Sequence, residues 1–258
     1  MINKKTILGI ERIDEFQSVF AKKRIGLITN PTGIASNFKS SIEILNEKTN
    51  LVALFSPEHG IRASIQAGEH LESYVDDETG IMVYSLYGAT RRPSKEIMDK
   101  IDIMSIDIQD CGSRYYTFIY TMAYCMQACA EFDKEFVVFD RPNPINCEKV
   151  EGNILNTDKY RSFVGYYPIV QRHGMTMGEL AKLFNEEYKI NCKLTVIPML
   201  NYERWMDFED TQLPWVIPTP NLPTIATAYV YNATCIFEGT NVSEGRGTTT
   251  PFELIGAP

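Results

Sequence analysis

The chain of 258 residues is predicted to adopt an α/β fold, a Rossmann-like, mostly parallel sheet with flanking helices. Two observations predict it. Short apolar runs alternate with amphipathic stretches, as successive βα units do. Each apolar run also ends in a polar loop, which in a parallel sheet gathers chemistry along one edge.

In chain order, 24–29 reads as a strand, followed by Asn30-Pro31-Thr32-Gly33 and a helix over roughly 37–48. A second strand over 51–55 ends at Ser56-Pro57-Glu58-His59-Gly60, and a third covers 81–86. Pro93 opens a short helix. The strand over 103–108 leads into Gln109-Asp110-Cys111-Gly112-Ser113-Arg114, and a long helix covers about 115–131. A strand over 136–139 runs into Asp140-Arg141-Pro142-Asn143-Pro144. Thr176-Met-Gly-Glu179 is a capping box: the threonine hydroxyl accepts from the Glu179 N–H, and the glutamate reaches back. It opens a helix to about 188, and 194–198 is the last strand. The loops that follow the strands hold Asn30, Glu58, His59, Gln109, Asp110, Arg114, Asp140, Arg141 and Asn143.

Composition narrows the function classes. An apolar fraction of 44% with 22% charged residues is ordinary for a globular domain with a sizeable core. With 33 acidic and 25 basic residues the net charge is −8, which disfavours nucleic acid as a partner. No apolar run approaches the ~18 residues of a membrane span. Glu11, Arg12 and Asp14 interrupt the short apolar stretch near the start, so no secretory signal is read. The chain is therefore expected to be cytoplasmic as written, or exported if the true N-terminus differs. The six cysteines form no CxxC pair, and the three histidines share no ligand spacing. Reduced core thiols and no metal are expected. Nucleotide fingerprints and a GxSxG elbow are absent.

The stretch 237–258 has no periodic apolar stripe. Glu238, Asn241, Glu244 and Arg246 lie there among glycines, which suits a polyhydroxylated ligand with an acidic substituent better than a bare phosphate. Glu58, after a proline at a strand end, is a candidate general acid, because a partly desolvated carboxyl at a cleft edge can keep a proton to donate. His59 can orient it. Asp107, inside an apolar strand, is a structural partner for an arginine, whereas Asp110 is more available. Asp140-Arg141 is either an internal pair or a ligand contact. Arg91-Arg92-Pro93 reads as a solvated turn, and Arg172-His173-Gly174 can turn donors toward the cleft. Pro218-Thr-Pro-Asn-Leu-Pro223 is a stiff linker whose Asn221 faces a ligand.

Several motifs together resemble one family. They are Ser56-Pro-Glu-His-Gly-Ile-Arg62, Tyr84-Ser-Leu-Tyr-Gly88, Asp107-Ile-Gln-Asp110, Arg114-Tyr-Tyr-Thr117 and Asp140-Arg-Pro-Asn-Pro144. Arg172-His-Gly-Met-Thr176, Gly178-Glu-Leu-Ala181 and Glu238-Gly-Thr-Asn-Val-Ser-Glu-Gly-Arg-Gly-Thr248 complete the set. In order and spacing the chain resembles the DUF1343 family, the NamZ-type exo-β-N-acetylmuramidases. These are bacterial glycoside hydrolases of peptidoglycan and cell-wall recycling.

The resemblance implies release of terminal N-acetylmuramic acid from the non-reducing end of wall fragments, with no cofactor. The partner it implies is a peptidoglycan-derived sugar, a MurNAc-GlcNAc unit or a muropeptide. It implies a Rossmann-like N-terminal catalytic domain, read here as 1–230, and a smaller C-terminal domain of which 231–258 is the beginning. The apolar residues of that last segment are expected to lack cover. Glu58 takes the general-acid role. The second group is left open between Asp110, Glu244 and the substrate's own 2-acetamido group. Arg62, Arg114 or Arg246 would hold the lactyl carboxylate. Asn30, Asn143, His173, Asn221, Glu238 and Asn241 are further substrate-binding candidates. The rival reading is a non-catalytic sugar-binding protein.

Overall fold

The computed structural model describes residues 4–58, 60–61, 73–87 and 91–257. Among the described residues seven strands form one sheet: β1 (Arg24–Thr29), β2 (Asn50–Ser56), β3 (Tyr74–Val75), β4 (Met82–Ser85), β5 (Ile103–Asp107), β6 (Glu135–Phe139) and β7 (Lys193–Ile197). Their order is β3-β4-β2-β1-β5-β6-β7. All neighbours pair in parallel except β3 and β4 at one edge, which are antiparallel. The α/β class and the mostly parallel sheet expected from the sequence are thus present.

Helices α1 (Gln17–Phe20), α2 (Ser41–Lys48), α3 (Lys95–Met98) and α4 (Phe118–Glu131) lie in the first half of the chain. Helices α5 (Thr157–Tyr160), α6 (Met177–Glu186) and α7 (Ile225–Thr234) follow. The capping box at Thr176 forms as the sequence predicts, with Thr176 Oγ1 accepting from Glu179 N at 3.2 Å. Two helices start later than their apolar patterns suggest. Ser40 caps α2, accepting from Glu43 N at 3.1 Å, so the chain before it is a turn. At α4 the residues 115–117 form the entry to the helix and serve the site described below. Sequence periodicity alone did not find the 3-10 helix Gly9–Phe16, α7 or the two-residue β3.

Side chains alternate across the strands, so the sheet carries a core on each face. In β6, Phe136 and Val138 face one core with α4 and α6, while Val137 and Phe139 face the other with Leu8, Ile10 and α2. Burial on both faces explains why the strands read as unbroken apolar runs. Gly178 lets α6 approach the sheet, because a Cβ there would lie 2.6 Å from Val196 and 2.9 Å from the Asp140 carboxyl carbon. All six cysteines are free and buried, as expected. The expectation that 231–258 lacks cover is corrected in part. Tyr231, Cys235 and Phe252 are buried in the core shared with α4 and α6, whereas Ile236, Leu254 and Ile255 are exposed. Helix α7 runs through position 230, so its packed face carries Tyr231 into that core.

The edge at which the parallel strands end is polar and buried. Asp107 and Arg141 pair there, with Arg141 Nε donating to Asp107 Oδ1 at 2.5 Å and Nη2 to Oδ2 at 3.0 Å. Arg141 therefore pairs with Asp107, not with its neighbour Asp140. Asp140 Oδ1 accepts from Arg141 N at 3.0 Å and from Gly178 N at 2.7 Å, while Oδ2 accepts from Thr176 Oγ1 at 3.0 Å. Burial pushes the Asp140 carboxyl up to about 6, and the three hydrogen bonds only partly oppose it.

A folded-state value above the unfolded 3.8 stabilises the protein at low pH, and that contribution is lost as pH rises through about 6. Asparagine reproduces this geometry, with its oxygen toward the two N–H groups and its amide toward Thr176. Asp140→Asn is expected to fold, and to gain on the parent by on the order of 2 kcal/mol between pH 4 and 7. Urea unfolding at both pH values measures this; equal pH dependence in the two proteins would contradict it.

Candidate active site

Strand pairing builds the centre of the site. Ser56 of β2 is paired in register with Ser85 of β4. Two residues beyond each, Glu58 and Tyr87 leave the same edge together and line one pocket. Parallel pairing thus makes neighbours of residues 29 positions apart. The turn into α4 supplies the next wall: Tyr115, Tyr116 and Thr117 line the pocket, and Thr117 Oγ1 donates to Glu58 Oε2 at 3.1 Å. Burial, then the charge of Glu58 and a hydrogen bond to it, raise the Tyr87 phenol. Tyr87 therefore stays protonated near neutral pH. Thr219, Asn221 and Leu222 close one side, and Phe163 another. The cavity is about 240 Å³.

The C-terminal segment completes the wall with Glu238, Arg246 and Phe252. Arg246 holds two carboxylates, donating from Nε to Glu244 Oε1 at 2.8 Å and from Nη2 to Glu238. Partial burial raises the Glu238 carboxyl. Arg246 opposes that rise, and the charges of Glu244 and Glu58 add to it. Glu238 is thus within electrostatic reach of Glu58 across one cavity, which neither residue's sequence context announced. Phe252 meets the ring of Tyr231 edge-on at 4.8 Å, and Tyr231 in turn meets Tyr116 at 6.1 Å. That aromatic column anchors the 238–252 segment to the turn before α4.

Of the residues singled out from sequence, Glu58, Asn221, Glu238 and Arg246 meet at this pocket. His59 and Arg62 lie outside the described residues. The other described candidates stand outside it, and most of them are bound to other parts of the chain. Asp110 is buried, accepting from Gly112 N at 2.7 Å and sharing a hydrogen bond with His173 Nε2 at 3.1 Å. His173 Nδ1 accepts from Met175 N, so the proton of a neutral His173 sits on Nε2, toward Asp110. Arg114 spends Nη1 on the carbonyls of Asn153 and Ile169, both at 2.8 Å. Asn143 bridges Ile145 N and Met175 O. Asn30 lines a separate cavity and accepts from Thr32 N at 3.0 Å. Glu244 faces Arg246 rather than the pocket, and Asn241 is exposed outside it.

Among the described residues no group of three or more His, Cys, Asp or Glu is placed to hold a metal ion. No helix there is long and apolar enough to cross a membrane.

The site residues missed by sequence reasoning are mostly aromatic. Tyr87, Tyr115 and Tyr116 lie within motifs that carried the family resemblance, which was the available signal. Thr219 lies in the Pro218–Pro223 stretch singled out for Asn221, and Phe163 had no such signal.

Comparison with known proteins agrees with the resemblance. The family model described as the N-terminal part of the exo-beta-N-acetylmuramidase NamZ matches residues 25–226, and its C-terminal counterpart matches 229–258. The chain belongs to the NamZ family. The peptidoglycan beta-N-acetylmuramidase NamZ of Bacillus subtilis (strain 168) is 53% identical over 257 residues. The match covers 98% of this chain and 62% of that protein. Crystal structures of two DUF1343 family proteins from Bacteroides fragilis NCTC 9343 superpose with TM-scores of 0.91 and 0.86, each at 42% identity. They cover 99% of this chain and 65% and 68% of their own chains. This NamZ-family chain therefore spans less than two thirds of the length of the curated relative it matches.

Proposed function

We propose that this chain carries the catalytic pocket of an exo-acting glycoside hydrolase that releases terminal N-acetylmuramic acid from the non-reducing end of peptidoglycan fragments. The observation that carries the reading is a carboxyl, Glu58, in a sugar-sized aromatic pocket opposite a second carboxyl, Glu238. The 53% identity to a peptidoglycan beta-N-acetylmuramidase supports the substrate class.

In this mechanism Glu58 donates its proton to the glycosidic oxygen as the bond from the anomeric carbon to that oxygen breaks. Positive charge develops on the sugar ring. Either Glu238 or the substrate's own 2-acetamido oxygen meets that charge, and water then adds to the anomeric carbon, returning a proton to Glu58. Thr117 and Tyr87 hold the Glu58 carboxyl in place, and the tyrosine rings offer faces against which sugar C–H groups pack.

Incubation of the protein with a chromogenic β-N-acetylmuraminide and with wall fragments tests this. Release of the chromophore and of free N-acetylmuramic acid is expected. Saturable binding with no release in either assay would instead favour a sugar-binding protein.

A further inference from the structure

Arg91 and Arg92 part company in the structure. Arg92 forms the solvated contact its sequence context suggests, donating to Glu131 Oε2 at 2.5 Å on the surface. Arg91 lies instead over the ring of Phe163, with its guanidinium carbon 3.9 Å from the ring centroid. Phe163 lines the pocket, stacks on Tyr124 at 6.1 Å and tilts against Tyr87 at 6.4 Å. The Tyr87 phenol responds to Glu58 and, in the opposite sense, to Arg91. Arg91 is thus at the rim of the cavity that contains the candidate acid.

Among the described residues, two other cations near the pocket are largely committed. Arg246 is clasped by Glu238 and Glu244, and Arg114 is spent on backbone carbonyls. Among the described residues no carboxylate pairs with Arg91, and its side chain is exposed. Stacking uses the face of the guanidinium; one edge N–H reaches the Tyr124 hydroxyl, and the rest of the edge remains. Those edge groups match a carboxylate in plane. In a chain of net charge −8 with two carboxyls inside the pocket, a cation at the rim with no carboxylate partner among the described residues is the feature that admits an acidic ligand.

We propose that Arg91 is a specificity-determining residue that binds a carboxylate carried by the sugar itself. If the proposed function holds, this is the lactyl carboxylate, the group that distinguishes N-acetylmuramic acid from N-acetylglucosamine. Arg161 provides the contrast. It stacks on Tyr166, 5.3 Å from that centroid, and neither residue lines the pocket.

The test is titration calorimetry of the parent, Arg91→Ala and Arg161→Ala proteins with free N-acetylmuramic acid, its lactyl-linked alanyl peptide and N-acetylglucosamine. The parent is expected to prefer N-acetylmuramic acid. Arg91→Ala is expected to lose ~10-fold or more of that affinity while keeping its affinity for N-acetylglucosamine, with Arg161→Ala like the parent. Loss confined to the peptide-bearing sugar would overturn a sugar-borne carboxylate as the target. An Arg91→Ala protein that binds N-acetylmuramic acid as the parent does would overturn the proposal, as would a parent without the preference. Chromophore release by the parent in either case would leave the hydrolase reading standing; a parent that neither binds nor hydrolyses would remove both.

Discussion

Glu58→Gln is expected to keep the fold and the sugar affinity while lowering turnover by on the order of 10²-fold or more. Glutamine has the shape of the carboxyl and still accepts from Thr117 Oγ1, whose bond to Glu58 Oε2 is 3.1 Å. What it lacks is an acidic proton for the departing oxygen. The loss should therefore appear in kcat, with KM little changed, because the ground-state contacts survive. A substrate with a leaving group that needs no protonation should recover much of the first step. Turnover within a few-fold of the parent on a poor leaving group would remove Glu58 from the mechanism.

The largest expected effect on stability is at Asp107. Its side chain is fully buried, and that of its partner Arg141 is 6% exposed. Arg141 also donates from Nη2 to Ile34 O at 2.6 Å, and Ser41 donates to Asp107. One ion pair thus ties together the end of β5, the loop after β6, the loop after β1 and the start of α2. Asp107→Ala leaves the guanidinium buried without its counter-charge, which is expected to cost about 3–5 kcal/mol. Replacing both partners with apolar residues of similar volume is expected to cost less than Asp107→Ala alone, since no buried charge is then stranded. Chemical denaturation of the three proteins measures both statements. A single mutant as stable as the parent would show that the pair does not hold this edge.

The edge that bears the site rests on that pair, so stability and function meet at the ends of the parallel strands. The helix entries are tuned to the same edge. At α4, the residues just before the helix do not extend it but turn Tyr115, Tyr116 and Thr117 into the pocket.

The sequence by itself determined the class of fold, because a parallel sheet covered on both faces demands unbroken apolar runs, and those runs are visible without coordinates. β1 over Arg24–Thr29 and β6 over Glu135–Phe139 sit where the runs lie. It also singled out Glu58, Asn221, Glu238 and Arg246, since carboxyls, amides and guanidinia at strand ends and among glycines have few purely structural uses. Only the tertiary structure decided which polar groups are still available. Arg114, Asn143, His173 and Asp110 carry chemistry as capable as that of the pocket residues, yet they are tied outside the pocket by bonds to backbone groups and to one another. Residue type states what a side chain can bind, whereas neighbours distant in sequence decide whether it is already bound. The same reason hid Tyr87 and Phe163. Their place beside Glu58 and Arg91 follows from the β2–β4 register and from ring packing across the chain, neither of which a local pattern encodes.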